Sequence, residues 1–112
     1  MNLNQKDIIL LPYPFTDLEG SKVRPAVVIS NNNFNRKSED IIAIPLTTVL
    51  KDEPHSVLIY QENLSSGKLL KPSRIRADKI FTVYKNLAVM KIGVINEKTF
   101  RELKSKIFKI IM

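Results

Sequence analysis

Cysteine is absent and histidine occurs once, at His55. The first absence excludes disulfides and thiolate chemistry, and a single histidine without cysteine partners cannot assemble a zinc site. No apolar run approaches the roughly 18 residues that a membrane-spanning helix needs. The opening MNLNQKDIILLPYPF lacks the basic start, long apolar stretch and small-residue cleavage site of a secretory signal, so a cytoplasmic protein is expected. Glycine-rich phosphate loops, a GxSxG elbow, a P-loop and HExxH are all missing, which removes the commonest routes to nucleotide, serine-hydrolase or metalloprotease chemistry. Aromatics are sparse, at 7%, and form no run that would offer stacking platforms to bases. What remains as reagents is arginine, carboxylate and hydroxyl, and neither a cofactor nor a metal is expected.

The 112 residues suit one domain, 1–112, with a single core. Apolar residues at 44% and charged ones at 26% are ordinary globular usage, enough to offset the ordering entropy of the chain. The charge is lopsided, with 18 Lys and Arg against 11 Asp and Glu, a formal +7. That balance favours a polyanionic partner such as RNA, DNA or an acidic peptide, with solvated surface lysine as the plainer account.

Residues 7–11, DIILL, read as a first strand ending at Pro12-Tyr13-Pro14, where two prolines remove backbone donors. The next stretch, FTDLEGSK, carries Thr16, Asp17, Gly20 and Ser21 and reads as a surface loop. Val23 to Ser30 is β-branched and apolar except for Arg24, and Pro25 restricts it to a strand start, edge or bulge. Asn31 to Ser38 is a polar connection, and Ile41 to Thr47 is a buried strand whose Pro45 predicts a bulge or bend. His55 to Tyr60 gives another strand, followed by a loop containing Gly67 and then PSRIRAD. There Arg74 and Arg76 alternate with Ile75 and so face one side of the sheet. One more short strand lies within Leu87 to Ile95, and Asn96 caps a closing helix with Phe100, Leu103, Ile107 and Ile110 at helical spacing. Short bent strands and one terminal helix predict a mainly β fold, a small curved barrel or sandwich with a helix over one end.

Lys68, Lys71, Arg74, Arg76, Lys79, Lys85 and Lys91 crowd around one acid, Asp78, and such a field attracts a phosphate chain. A carboxylate among cations stays ionised, and Asp78 reads either as a functional group or as a structural counter-ion. Arg24, in an apolar strand, needs a partner or a cleft, and an ion pair or an anion site satisfies it equally. Thr47 and Thr48 close their strand with hydroxyls that usually satisfy nearby backbone. His55 follows Asp52-Glu53-Pro54 and reads as a surface residue. The cations of the last helix, Lys98, Arg101, Lys104, Lys106 and Lys109, leave an apolar stripe better explained by core packing than by a membrane surface.

Three segments resemble one family. DIILLPYPFTDLEGSKVRPAVVIS is similar to the opening of PemK/MazF-type toxins of type II toxin-antitoxin systems, where an apolar strand and a proline-bearing loop precede an RP element. IIAIPLTT is similar to the family's apolar strand ending in threonine. GKLLKPSRIRADKIFTVYKNLAVMKIG is similar to its KPS, arginine-x-aspartate and closing IG segments. The resemblance implies an SH3-like barrel with a C-terminal α-helix, a homodimer, and an acidic, partly disordered antitoxin segment as partner. It implies metal-independent cleavage of single-stranded mRNA, with Arg24, Thr47, Arg76 and Asp78 as the catalytic group, the last two matching the Kid/PemK branch. Thr48, Lys22, Lys71, Arg74 and Lys79 are the expected substrate-binding residues. Lys6 stands where a glycine is usual before Asp7, Arg74 where an apolar residue is common, and Tyr84 where an aspartate is frequent. The same barrel in CcdB-like toxins binds DNA gyrase without catalysis, and a non-catalytic nucleic-acid-binding barrel is a further alternative, because fold does not fix function.

Overall fold

The computed structural model describes residues 1–13 and 22–112, so the loop expected around Thr16 to Ser21 lies outside the described residues. The strands are β1 (Asp7–Tyr13), β2 (Lys22–Val28), β3 (Asp40–Thr47), β4 (Ser56–Ile59), β5 (Leu64–Gly67), β6 (Ser73–Arg76), β7 (Phe81–Tyr84) and β8 (Met90–Ile95). Helix α1 (Asn32–Lys37) precedes β3, and α2 (Glu97–Ile111) closes the chain. All pairings are antiparallel, in the order β4-β6-β3-β2-β1-β8-β5 with β7 also on β3, and the sheet curls into a half-barrel with the C-terminal helix against it.

The apolar runs are continuous rather than alternating because the central strands are buried on both faces. Val27, Ile44 and Leu46 point to one side, where Val57, Ile59, Ile75, Phe100 and Leu103 complete a core beneath α2. Ala26, Val28, Ile41 and Ala43 point to the other, packing with Ile9, Leu11, Leu3 and Val83. Helix α2 starts where expected, with the Asn96 side chain accepting a bond from Thr99 N at 2.8 Å, and it buries Phe100 and Leu103.

Two prolines sit where a missing donor does least harm. Pro12 lies inside β1, beyond the stop expected at Leu11, and pairs with Val23 after β8 has left the other side of the strand at Leu10. Pro45 lies where β3 changes neighbours, since Asp40 to Ala43 pair with β7 whereas Leu46 and Thr47 pair with β6. The bend expected there is thus a partner exchange.

Three elements depart from expectation. The polar stretch after Ser30 is helical because Asn31 caps it through Phe34 N at 2.8 Å, and its Asn35 is buried against the Ser30 carbonyl, to which its amide donates at 3.0 Å. The segment around Gly67 is the strand β5 rather than a loop, and Phe81–Tyr84 forms β7 beside β3.

Candidate active site

The proposed residues gather where β2, β3, β6 and β4 run side by side. Thr47 is directly opposite Arg74 across β3 and β6, so their side chains leave the same face, and Arg76 joins them two residues further along. Their neighbours Leu46 and Ile75 point the other way, into the core. Ala26 is opposite Pro45 across β2 and β3, which sets Arg24, two residues before, at the same end of the sheet as Thr47, two residues after. Arg24 is exposed there, opposite Leu11 of β1.

Asp78 reaches this face by folding back. After β6 the chain turns, with Lys79 N donating to the Arg76 carbonyl at 2.9 Å, and this returns the Asp78 carboxylate to the guanidinium. Arg76 Nε donates to Oδ1 at 3.0 Å and Nη2 to Oδ2 at 2.8 Å, a side-on fork. Those bonds hold the Asp78 carboxyl below the ordinary carboxylate range, against partial burial and with help from its own backbone N–H and from Lys79. Reciprocally, Asp78 raises the affinity of Arg76 for its proton. The pair is a fixed cation with an ionised orienting partner.

Arg74 has partners within the protein. Its Nε donates to the Leu50 carbonyl at 3.3 Å, its Nη1 to Ser56 Oγ at 3.1 Å, and its Nη2 lies 3.7 Å from Asp52 Oδ1. Beside it opens a cavity of about 200 Å³ lined by Thr47, Val49, Lys51, Glu53, Arg74 and Arg76. Arginine and hydroxyl form one wall, and the connection between β3 and β4 forms the other.

The basic window expected around Asp78 is divided by the fold. Lys91 pairs with the buried Asp7 at 3.0 Å and Lys85 donates to the Asn35 carbonyl at 2.8 Å, so these two cations serve the framework. Lys71 and Lys79 are exposed on either side of β6, Thr48 is exposed after Thr47, and Lys22 is exposed at the head of β2. His55 is exposed in the turn before β4. Val49, Lys51 and Glu53 line the cavity but were not singled out from sequence; their alternation directly after the TT pair was the available signal. Among the described residues, no three His, Cys, Asp or Glu side chains gather to hold a metal.

A curled antiparallel half-barrel with a terminal helix matches the fold of MazF-like toxins. The family model described as PemK-like, MazF-like toxin of type II toxin-antitoxin system matches residues 4–111, and the chain belongs to that family. Among solved structures, a MazE-MazF complex from Deinococcus radiodurans superposes with a TM-score of 0.82 at 18% identity, covering 99% of this chain and 97% of that one. An endoribonuclease in complex with its cognate antitoxin from a mycobacterial species gives 0.79 at 20% identity, covering 97% and 94%. At these identities the likeness establishes the fold. No curated protein sequence matches the chain.

Proposed function

We propose that this toxin is a sequence-specific endoribonuclease that cuts single-stranded mRNA without a metal, by attack of the RNA's own 2′-hydroxyl on the adjacent phosphorus. As the 2′-oxygen bonds to phosphorus the P–O5′ bond breaks, leaving a cyclic 2′,3′-phosphate, and the departing 5′-oxygen takes a proton from solvent to become a free 5′-hydroxyl. The observation that carries this reading is the shared face and cavity of Thr47, Arg74 and Arg76, with Asp78 locked to Arg76 and Arg24 at the same end of the sheet.

Arg24 and Arg76 neutralise the charge that builds on the pentacoordinate phosphorus, and Thr47 donates to a non-bridging oxygen. Electrostatic stabilisation is the role suited to Arg24, because a guanidinium with a pKa above about 12 gives up its proton reluctantly. Asp78 aims the Arg76 fork in the free protein. When a substrate phosphate takes over that fork, the carboxylate turns to the 2′-hydroxyl and orients or accepts its proton. Exposed Lys22, Lys71, Lys79 and Thr48 supply phosphate contacts around this centre. The toxin acts as a cytoplasmic homodimer and is neutralised by an acidic antitoxin segment that orders itself over the basic face. Growth arrest follows from loss of mRNA.

Arg24→Ala removes one stabilising donor and should slow cleavage by on the order of 100-fold to 1,000-fold, in a gel assay, with an unchanged thermal melt. A single deoxy substitution at the scissile nucleotide should block cutting of that bond. Intact RNA with wild-type protein, together with capture of DNA gyrase, would move the chain to the CcdB-like class.

A further inference from the structure

The geometry points to the β3–β4 connection, residues 48–55, as the segment that selects the nucleotide beside the scissile phosphate, with Arg74 as its positioning residue and Glu53 as the group facing the base. This rests on the ribonuclease reading above.

The connection is tied down along its length. Val49 N donates to Thr47 Oγ1 at 3.2 Å, Arg74 Nε holds the Leu50 carbonyl at 3.3 Å, and Ser56 Oγ donates to the Glu53 carbonyl at 2.7 Å. Arg74 Nη1 grips that same Ser56 hydroxyl, and Lys106 of α2 donates to the Pro54 carbonyl at 3.1 Å. Arg74 is the hub, with its side chain only 12% exposed although its charged neighbour Asp52 is 99% exposed. Two of its donors are bonded to the connection and to Ser56, and Nη2 lies 3.7 Å from Asp52 Oδ1, so the guanidinium is turned to the connection.

A segment held at this many points is a preformed wall, and ordering it costs nothing when substrate arrives. On this side the cavity is lined by Val49, Lys51 and Glu53. A nucleotide whose phosphate rests on Arg76 sets its base, in this reading, against Val49, Lys51 and Glu53, and Glu53 is the acid among them. An ionised carboxylate only accepts hydrogen bonds. Guanine, cytosine and adenine present amino groups to it, as Glu and Asp accept from cytosine N4 in duplex readout, whereas uracil presents two carbonyls around a single N–H.

The test is cleavage of an RNA pool randomised around the cut site, read as the ratio of cutting between bases at each flanking position. Wild-type protein should favour amino-bearing bases over uracil by about tenfold at one flanking position. Glu53→Gln, whose amide also donates, should collapse that ratio. Arg74→Val should relax it as well, and should speed hydrogen exchange of residues 49–53 while β3 and β6 keep their protection. The inference is overturned if both variants keep the wild-type ratio, if they lose rate equally on every base, or if exchange of 49–53 is unchanged in Arg74→Val. Should wild-type protein leave every RNA intact, the ribonuclease reading fails and nucleotide selection with it, while the exchange result still decides whether Arg74 holds the loop.

Discussion

Lys6 holds a φ of 81°, a left-handed backbone that costs a side-chain-bearing residue on the order of 1 kcal/mol and glycine almost nothing. That explains why family resemblance leads one to expect glycine there. What the lysine gains is visible at its other end, where Nζ meets Glu97 Oε2 at 2.7 Å and lies 5.9 Å from the centre of the Phe100 ring, joining the start of β1 to α2. The departure was legible in the sequence; its compensation needed the helix to be placed. Asp78 gives the residue-scale prediction. Arg76 holds its folded-state pKa below the unfolded value, so the pair stabilises the fold fully above the ordinary carboxylate range and progressively less as pH falls through the lowered value. Denaturant midpoints measured from about pH 5 down to about pH 2 should fall less steeply for Asp78→Asn than for wild type. Identical slopes would mean that the pair does not persist in solution.

At the scale of elements, β5 and β8 cross so closely that a Cβ on Gly67 would lie 2.3 Å from Gly93 Cα and 2.3 Å from the Ile92 carbonyl oxygen. Gly67 also has a φ of 84°, so backbone and space both demand glycine. Gly67→Ala should destabilise the fold by about 2 kcal/mol or more, seen as a lowered urea midpoint, because main chain on both strands must shift. A midpoint within error of wild type would show that β5 peels away at little cost. The same strand marks the limit of what patterning reveals. Strands β1, β2 and β3 were legible as apolar, β-branched runs, and α2 as a cap followed by helical spacing. LSSG at β5 and FTVY at β7 are too short or too polar to stand out, and each is a strand because a neighbour supplies its ladder. Helix α1 was hidden for the opposite reason, since its fixing contacts are amides rather than apolar side chains.

For the whole molecule, a net charge of +7 with seven strands in one curled path makes phosphate attraction a property of the surface as a whole. Affinity for an RNA carrying a deoxy nucleotide at the cut site, measured by fluorescence anisotropy, should fall roughly 10-fold to 50-fold between about 50 and 200 mM salt if three or four phosphates are engaged. Salt-insensitive binding would remove backbone contacts from the account. Much of the candidate site could be read before the fold, because Arg76 and Asp78 are two residues apart and Arg74 shares the strand of Arg76. The pairing of Thr47 with Arg74 and the wall of Val49, Lys51 and Glu53 could not, since both depend on strand register and on where a connection folds.

The exchange of neighbours along β3 has a consequence for how the molecule comes apart. One strand carries β2 along one edge and, on the other, β7 and then β6, with Thr47 at its tip. Fraying that tip would break the β6 ladder and reach the end of the β2 ladder at Pro45 while the β7 ladder, at Asp40 to Ala43, holds, so the corner that carries the candidate site is tied to the sheet through two neighbours. Openings that spare the rest of the chain should begin at β4, β5 and β7, which among the described residues have a neighbour on one side only.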